Sequence, residues 1–460
     1  MPQVDGSNDG WPSGTRLTRE ERRATGEAAR ATMPAATLGE WTPAGDRPDP
    51  IALLEEQATT RITELVPVRY GRMAISPFTF YRGAALPMAA DLSTGVRTDI
   101  EVQLCGDAHL VNFGLFASPE RDLLFDINDF DETLRGPFEF DLKRLAASLV
   151  VAGRDRGFDA RDNRHIVHRA IRSYRDRMAG YATMPAIDVY YARVDATGVL
   201  AYVDKHARAM IQGTVKSTAH HDAVHELPKL TAVVDGQRRI VERPPTLVKR
   251  RDMTSVIADS SLAAYRETVQ EDRRVLLDRY RLADFALKVV GVGSVGLGAF
   301  VALFLGDSED DPLFLQAKQA EASVYERYLR PSKRASHGER VVTGQRRLQG
   351  ASDILLGWAV GPHGGNVYIR QLQDQKGSAI IETMTLEELA TWGELCAWAL
   401  ARGHARSGQP ATIAGYLGTD NVFEHAMATF AEAYADQNER DHAALLAAIK
   451  SGRVTAQSGV

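Results

Sequence analysis

Apolar residues fall every three to four positions over long stretches of this chain, and elsewhere they alternate or run together. Ile51, Leu53 and Leu54, followed by Ile62 and Leu65, predict a helix with one apolar face. Leu142, Leu145, Ala146 and Leu149 predict a second helix over 141–152. Ile166, Ala170, Ile171, Tyr174 and Met178 predict a third over 163–182. A fourth, over 385–407, opens on a capping box of Thr385 and Glu388 and turns Leu389, Trp392, Cys396, Ala399 and Leu400 inward. Short apolar runs at 100–104 and 123–127 predict strands. The stretch 185–280 is helical where it has a pattern and charged elsewhere.

The period changes near residue 281. The run 289–306 carries no charge and approaches the length of a membrane span, yet it holds Gly291, Gly293, Gly296, Gly298, Gly306 and Ser294. That glycine density predicts strand, turn and strand. A strand at 300–305, an acidic turn at 306–312, a strand at 313–318 and a pair at 354–360 and 366–372 joined by a glycine turn complete the region. The fold class is therefore α+β: a mainly helical part and a small antiparallel sheet.

Composition narrows the partners. A net charge of -5 gives no basic signature, so nucleic acid is not expected. Two cysteines, Cys105 and Cys396, cannot build a disulfide framework and fit a reducing, cytoplasmic setting. The first residues are polar, without the apolar core of a signal peptide. Residues 1–48 read as a mobile or loosely docked tail with a short charged helix at 18–31. His206, His220, His221 and His225 lack the spacing of a metal frame and receive no role.

Candidate chemistry concentrates in two places. In the first, Asp107 is followed five residues later by Asn112, and Asp129 lies on a turn after a strand. Phosphoryl transfer needs a carboxylate to orient the attacking hydroxyl, an amide oxygen on Mg²⁺ and a second carboxylate bridging metal and phosphates. Asp107 is the candidate base, and Asn112 and Asp129 are the candidate metal ligands. Asp126 and Asp131 flank them, and His109 is read as ordering the loop. In the second place, Gly291, Gly293, Ser294 and Gly296 form a turn whose amides can approach phosphates, and Lys318 supplies a point charge. Glu326, or alternatively Glu339, is the candidate acid for Lys318. Arg72 and Arg82 divide evenly between solvated charges and a phosphate or substrate role, and Arg370 and Lys376 are further candidates for an acidic substrate.

Gly106-Asp107-Ala108-His109-Leu110-Val111-Asn112 resembles the Gly-Asp-x-His-x-x-Asn catalytic loop of aminoglycoside-phosphotransferase-like kinases. Asp129-Phe130-Asp131 resembles their Asp-Phe-Gly turn, and Gly136 to Leu142 resembles the segment carrying the buried aspartate that braces the loop. Ala317-Lys318 is similar to their Ala-x-Lys element, and 400–406 to the end of the helix before their catalytic loop. The strand 366–372 resembles the one leading to their adenine-binding hinge, and that resemblance implies backbone groups at 371–373 as candidates for holding a base. The resemblance implies a two-lobed, protein-kinase-like fold in an unusual order, because the glycine turn follows the catalytic loop by about 180 residues. A circular permutation accounts for that order: a catalytic helical lobe at 49–280, a nucleotide lobe at 281–380 and closing helices at 381–460. From about residue 50 to 445 the chain also resembles the bacterial domain-of-unknown-function 2252 family. The stretches 76–83, 106–113, 129–132, 290–296, 368–372 and 434–437 carry that likeness.

These resemblances imply an ATP- and Mg²⁺-dependent phosphotransferase acting on a small-molecule acceptor, with no membrane partner. They name neither the acceptor nor an oligomeric state. The alternatives are a nucleotidyltransferase on the same fold, a non-catalytic nucleotide-binding scaffold, and a metal hydrolase using Asp107, His109, Asp126 and Asp129.

Overall fold

The computed structural model describes residues 16–202, 208, 223–249, 255–289, 291–361, 364–372 and 380–459. Among them the chain is a mixed α+β protein with a helical body and small antiparallel sheets. The body's main helices are Glu139–Asp155, Ala160–Thr183, Leu386–Ser407 and Val422–Lys450. The predicted faces of the first three point inward: Leu145, Leu149, Ile171, Tyr174, Trp392 and Leu400 are buried in one core. Each such side chain contributes roughly 1.5–3 kcal/mol on leaving water. Leu386–Ser407 starts at the predicted capping box, with the Thr385 hydroxyl and the Glu388 backbone and side chain all engaged.

The largest sheet has six strands in the order Gly357–Val360, Asn366–Gln371, Pro312–Gln319, Ala299–Leu305, Arg281–Lys288 and Leu247–Val248, all neighbours antiparallel. The uncharged run is thus a turn followed by a sheet strand. No helix of the described residues is long and apolar enough to cross a membrane. The sheet reaches back to Leu247, outside the 281–380 interval, because a two-residue strand is too short to display a period. The helix His337–Leu348 packs against Gly357–Val360 and Asn366–Gln371.

Two smaller hairpins matter for function. The predicted strands at 100–104 and 123–127 do not pair with each other. Glu101–Leu104 pairs with Leu134–Pro137, and Phe113–Ala117 pairs with Leu123–Ile127 so that Phe113 lies opposite Ile127. A third hairpin, Thr231–Val234 with Gln237–Ile240, turns on Asp235 and Gly236, both in the left-handed region, which is the Asp-Gly turn that suits two-residue hairpins.

Residues 18–48 are not loosely docked. Arg19–Thr32 carries a full capping box and packs on Pro410–Leu417, and Ala35 and Leu38 are buried. Arg47 bridges the buried Asp91 (2.7 Å) and Asp441 (2.6 Å). The segment looks polar in sequence because its anchors, Ala35, Leu38, Trp41 against Phe430 and Tyr434, and one arginine, are scattered and follow no single period. The helix expected across 51–65 is divided into Pro50–Ala58, a single tight turn at Thr63–Leu65, and Val66–Met73, where Pro67 suits a helix start. His206, His220, His221, Gln373 and Lys376 lie outside the described residues.

Candidate functional site

The loop 105–112 is held from behind. Asp141, fully buried near the start of Glu139–Asp155, accepts the N–H groups of Cys105 (2.8 Å) and Gly106 (3.0 Å). Its Oδ2 also meets His404 Nε2 at 3.1 Å, and His404 Nδ1 meets the Tyr174 hydroxyl at 2.8 Å. Gly106 has φ +90°, and a Cβ there would lie 2.2 Å from the Glu132 carbonyl oxygen, so only glycine lets the loop pass so close to the 129–132 turn.

Asp107 is fixed by an arginine that sequence reasoning missed. Arg144 Nε donates to Asp107 Oδ1 at 2.8 Å, and Arg144 Nη2 donates to the Tyr81 carbonyl at 2.8 Å. The guanidinium also stacks 3.9 Å over the Tyr81 ring, and the Tyr81 hydroxyl donates to the Arg144 carbonyl at 2.8 Å. The aromatic segment before the loop is therefore the seat of the arginine that orients Asp107. Arg144 was within reach of sequence analysis, since it stands three residues after Asp141 on the same helical face. Burial raises the Asp107 carboxyl above its ordinary value despite Arg144. Burial also holds the His109 imidazole well below its ordinary value, hence neutral. Its Nδ1 accepts from Val111 N–H (3.2 Å), which leaves the proton on Nε2, 3.8 Å from Asp107 Oδ2.

The 113–127 hairpin brings the second carboxylate alongside. Asn128 N–H donates to the Asn112 carbonyl at 2.8 Å, so the end of the loop and the start of the acidic turn are neighbours. Asn112 Nδ2 donates to the Asp107 carbonyl (2.8 Å), which leaves Oδ1 as the side-chain atom open to a ligand. Asp129 Oδ1 accepts Asp131 N–H at 3.0 Å.

The six-stranded sheet grips this turn. Lys318 and Tyr368 are cross-strand partners, and both reach Asp131: Lys318 Nζ contacts Oδ2, and the Tyr368 hydroxyl donates to Oδ1 at 2.8 Å. Lys318 Nζ is also 3.5 Å from Asp129 Oδ2. Arg370 donates to the Asn128 carbonyl (3.1 Å), and Arg340 to those of Asp131 (2.8 Å) and Thr133 (2.7 Å). Burial opposes the charge on Asp129, but Lys318 and Arg370 outweigh it and hold the carboxyl below its ordinary range. Burial likewise opposes the charge on Lys318, and Asp129 with Asp131 outweighs it.

Other expectations need correction. Neither Glu326 nor Glu339 pairs with Lys318. Glu326 lies 3.3 Å from Arg340 Nε and caps the turn at Ser323, while the Glu339 carboxylate accepts the Ala335 N–H (3.0 Å) and meets Arg334 at 3.3 Å. The carboxylates of the 129–131 turn stand closer to the lysine. Asp126 is no metal candidate: both its oxygens are bonded to the buried Arg402 (2.6 and 2.8 Å), and Oδ2 also accepts Gly350 N–H at 2.8 Å. The amides of Gln371 and Leu372 are taken up by Asp353 and the Phe314 carbonyl, so they are not donors for a base.

One cavity of about 100 Å³ joins these pieces. Asp107, His109, Asn112, Asp129, Asp131 and Glu132 form one side, and Gly291, Gly293 and Ser294 contribute the turn. Gly296 stands off it, packed on Arg61, and Lys318 lies behind Asp131. Among the described residues no three His, Cys, Asp or Glu side chains are placed to cage a metal ion. Mg²⁺ needs no such cage, because one or two protein ligands with phosphates and water suffice. The hydrolase set of Asp107, His109, Asp126 and Asp129 is not brought together.

Glu132 gives the cavity a titration of its own. Burial pushes its carboxyl up to about 7, against the pull of Val324 N–H. The folded protein then holds a proton that the unfolded chain has released, so stability falls as pH rises from about 4.5 through about 7 and is flat outside that window. Glu132→Gln is expected to remove that slope, gaining about 3 kcal/mol over wild type at pH 8 and almost nothing at pH 4.5 in urea unfolding. A gain that is the same at both pH values would refute the assignment.

No curated protein and no solved structure matches the chain. Residues 61–448, most of its length, match the family described as "Uncharacterized protein conserved in bacteria (DUF2252)", and the chain belongs to that family.

Proposed function

We propose that this protein is an ATP- and Mg²⁺-dependent phosphotransferase with a circularly permuted, two-lobed, protein-kinase-like fold, acting on a small-molecule acceptor. The observation that carries the reading is the convergence of Asp107, Asn112 and Asp129 on one cavity beside the glycine turn, with Lys318 gripping the acidic turn from the sheet. Asp129 is kept ionised and Asn112 has an amide oxygen left, so both suit Mg²⁺. Mg²⁺-ATP supplies the transferable phosphoryl group and offsets its charge.

The chain's own residues do the rest. Asp107, oriented by Arg144, aligns the acceptor hydroxyl and takes its proton. Neutral His109 fixes the loop. Lys318, held by Asp129 and Asp131, would supply a positive charge to the phosphates of a bound nucleotide. The cavity is smaller than the roughly 300–1,000 Å³ of a pocket enclosing a whole ligand, so it takes the phosphates and leaves sugar and base outside. The buried Asp141 brace, reached by His404 from Leu386–Ser407, supports the permuted order: a helix late in sequence steadies a loop that comes early.

Thermal unfolding with and without Mg-ATP tests this directly. At about a hundredfold over Kd, one bound nucleotide should add roughly 2.7 kcal/mol of stability. Lys318→Met and Asp129→Asn should each abolish the gain. No shift in the wild type at millimolar Mg-ATP would refute nucleotide binding. Product analysis separates the two transfer chemistries, since phosphoryl transfer releases ADP and nucleotidyl transfer releases pyrophosphate.

A further inference from the structure

The wall of the cavity facing the acidic turn is built from three arginines that precede the catalytic loop: Arg61, Arg69 and Arg82. Arg69 is 1 % exposed, and its Nε and Nη1 have no hydrogen-bond partner among the described residues. The buried Nε atoms of Arg61 and Arg82 are equally without one. The bonds these side chains do make run to neutral oxygens: Arg69 to the Gln57 side chain (3.0 Å) and the Gly83 carbonyl (3.1 Å), and Arg61 to the Gly293 (2.8 Å) and Val295 carbonyls. None of the three forms an ion pair with a carboxylate of the described residues.

The carboxylates in the same cavity are already matched elsewhere. Asp107 is paired with Arg144, and Asp129 and Asp131 with Lys318. The Glu132 carboxyl is half protonated near neutral pH. Burying a guanidinium without an anion is costly, and here burial holds all three below their ordinary value. Three such groups stand on one wall beside a glycine turn; Glu321, Glu132 and Asp131 attract Arg61 and Glu382 and Asp107 attract Arg82 from a distance, but no carboxylate of the described residues is bonded to any of the three.

We infer that Arg61, Arg69 and Arg82 form a binding site for a phosphate-class anion on the wall of the catalytic cavity. Guanidinium forks suit planar or tetrahedral oxyanions, through paired N–H donors. The anion comes either from an acidic group on the acceptor, which makes the acceptor itself a phosphorylated or carboxylated molecule, or from the phosphate chain of the nucleotide. Only this choice of source rests on the phosphotransferase reading; the anion site does not.

The test is a titration of the full-length protein with inorganic phosphate at constant ionic strength, chloride serving as control, followed by thermal unfolding and calorimetry. The wild type should show saturable stabilisation by phosphate and not by chloride. Arg82→Gln, on a half-buried position, should weaken apparent affinity at least about tenfold. Arg69→Met should do the same where its unliganded unfolding remains cooperative, and Arg61→Gln provides a third, independent readout. Absence of saturable binding, or binding unchanged in the arginine variants, would overturn the site. Repeating the titration with a saturating non-hydrolysable Mg-ATP analogue identifies the source. Phosphate that still binds assigns the arginines to the acceptor, and phosphate that is displaced assigns them to the nucleotide. Arginine-dependent phosphate binding in a protein that ignores Mg-ATP would keep the anion site and discard the kinase reading.

Discussion

Asp107→Asn is expected to lower phosphoryl transfer by about 10²–10⁴-fold, the usual contribution of a positioned general base, while Mg-ATP binding stays within about twofold of wild type. The asymmetry follows from what the side chain touches. Asp107 is bonded to Arg144 and faces His109, and its carboxylate makes no hydrogen bond to Lys318 or Asp129, the residues proposed to serve the nucleotide. The amide oxygen of Asn accepts the same Arg144 Nε–H and so keeps the loop's hydrogen bond, while the buried guanidinium loses its counter-charge and the protein loses some stability. Asp129→Asn should behave in the opposite way, losing nucleotide binding first. The pH profile adds a second readout. Because burial raises the Asp107 carboxyl, wild-type turnover should fall as pH drops through a value above the ordinary carboxylate range. The measurement is ADP release with an acceptor found by screening. Transfer at wild-type rate in Asp107→Asn would remove Asp107 from the chemistry and, with it, the main support for the mechanism.

The positions that the sequence made legible are those whose partners are near in sequence or on a regular element. Asp107 and Asn112 are joined by a bond within one short loop, whereas of the hairpin that sets Asn112 beside Asn128 only the strand at 123–127 is predicted from the sequence, and its partner Phe113–Ala117 is not. The strand–turn–strand order around the glycines is likewise a local property. Lys318 was singled out for its place at the end of a strand, but its partner was misassigned. Which acid meets a buried lysine is decided by how the sheet sits on the body, and the lysine reaches across 187 residues to Asp131. Spacing along the chain contains no such distance.

The arginines show the same limit from the other side. Arg82 stands out because an aromatic run surrounds it, whereas Arg61, in the bend after Pro50–Ala58, and Arg69, on Val66–Met73, have unremarkable neighbours in sequence. They become informative only once burial without a carboxylate partner is visible. The docked segment 18–48 failed for a related reason. A few scattered side chains, Leu38 and Trp41 among them, and one arginine bridging two buried aspartates make firm anchors, yet they leave the composition of a solvated tail.

Arg402→Met is expected to destabilise the protein by about 3–5 kcal/mol, because it strands a buried carboxylate. Arg402 is 0 % and Asp126 2 % exposed, and with the guanidinium gone Asp126 retains only the N–H groups of Ile127 and Gly350. The pair ties the strand Leu123–Ile127 to the helix Leu386–Ser407, and so holds the hairpin that presents Asn112 and Asp129. Loss of Mg-ATP affinity should accompany the loss of stability. The pairing is imperfect, since Arg402 Nε and Nη1 have no partner among the described residues. Asp126→Leu combined with Arg402→Met should therefore recover at least half of the single-variant loss, as apolar replacements of buried ion pairs commonly do. Urea unfolding of the two singles and the double gives the coupling. If Asp126 were instead a metal ligand, Asp126→Leu alone would abolish metal-dependent stabilisation and the double variant would not restore it. Recovery of both stability and Mg-ATP binding in the double variant would establish Asp126 as a brace, and leave Asn112 and Asp129 as the pair that holds the metal.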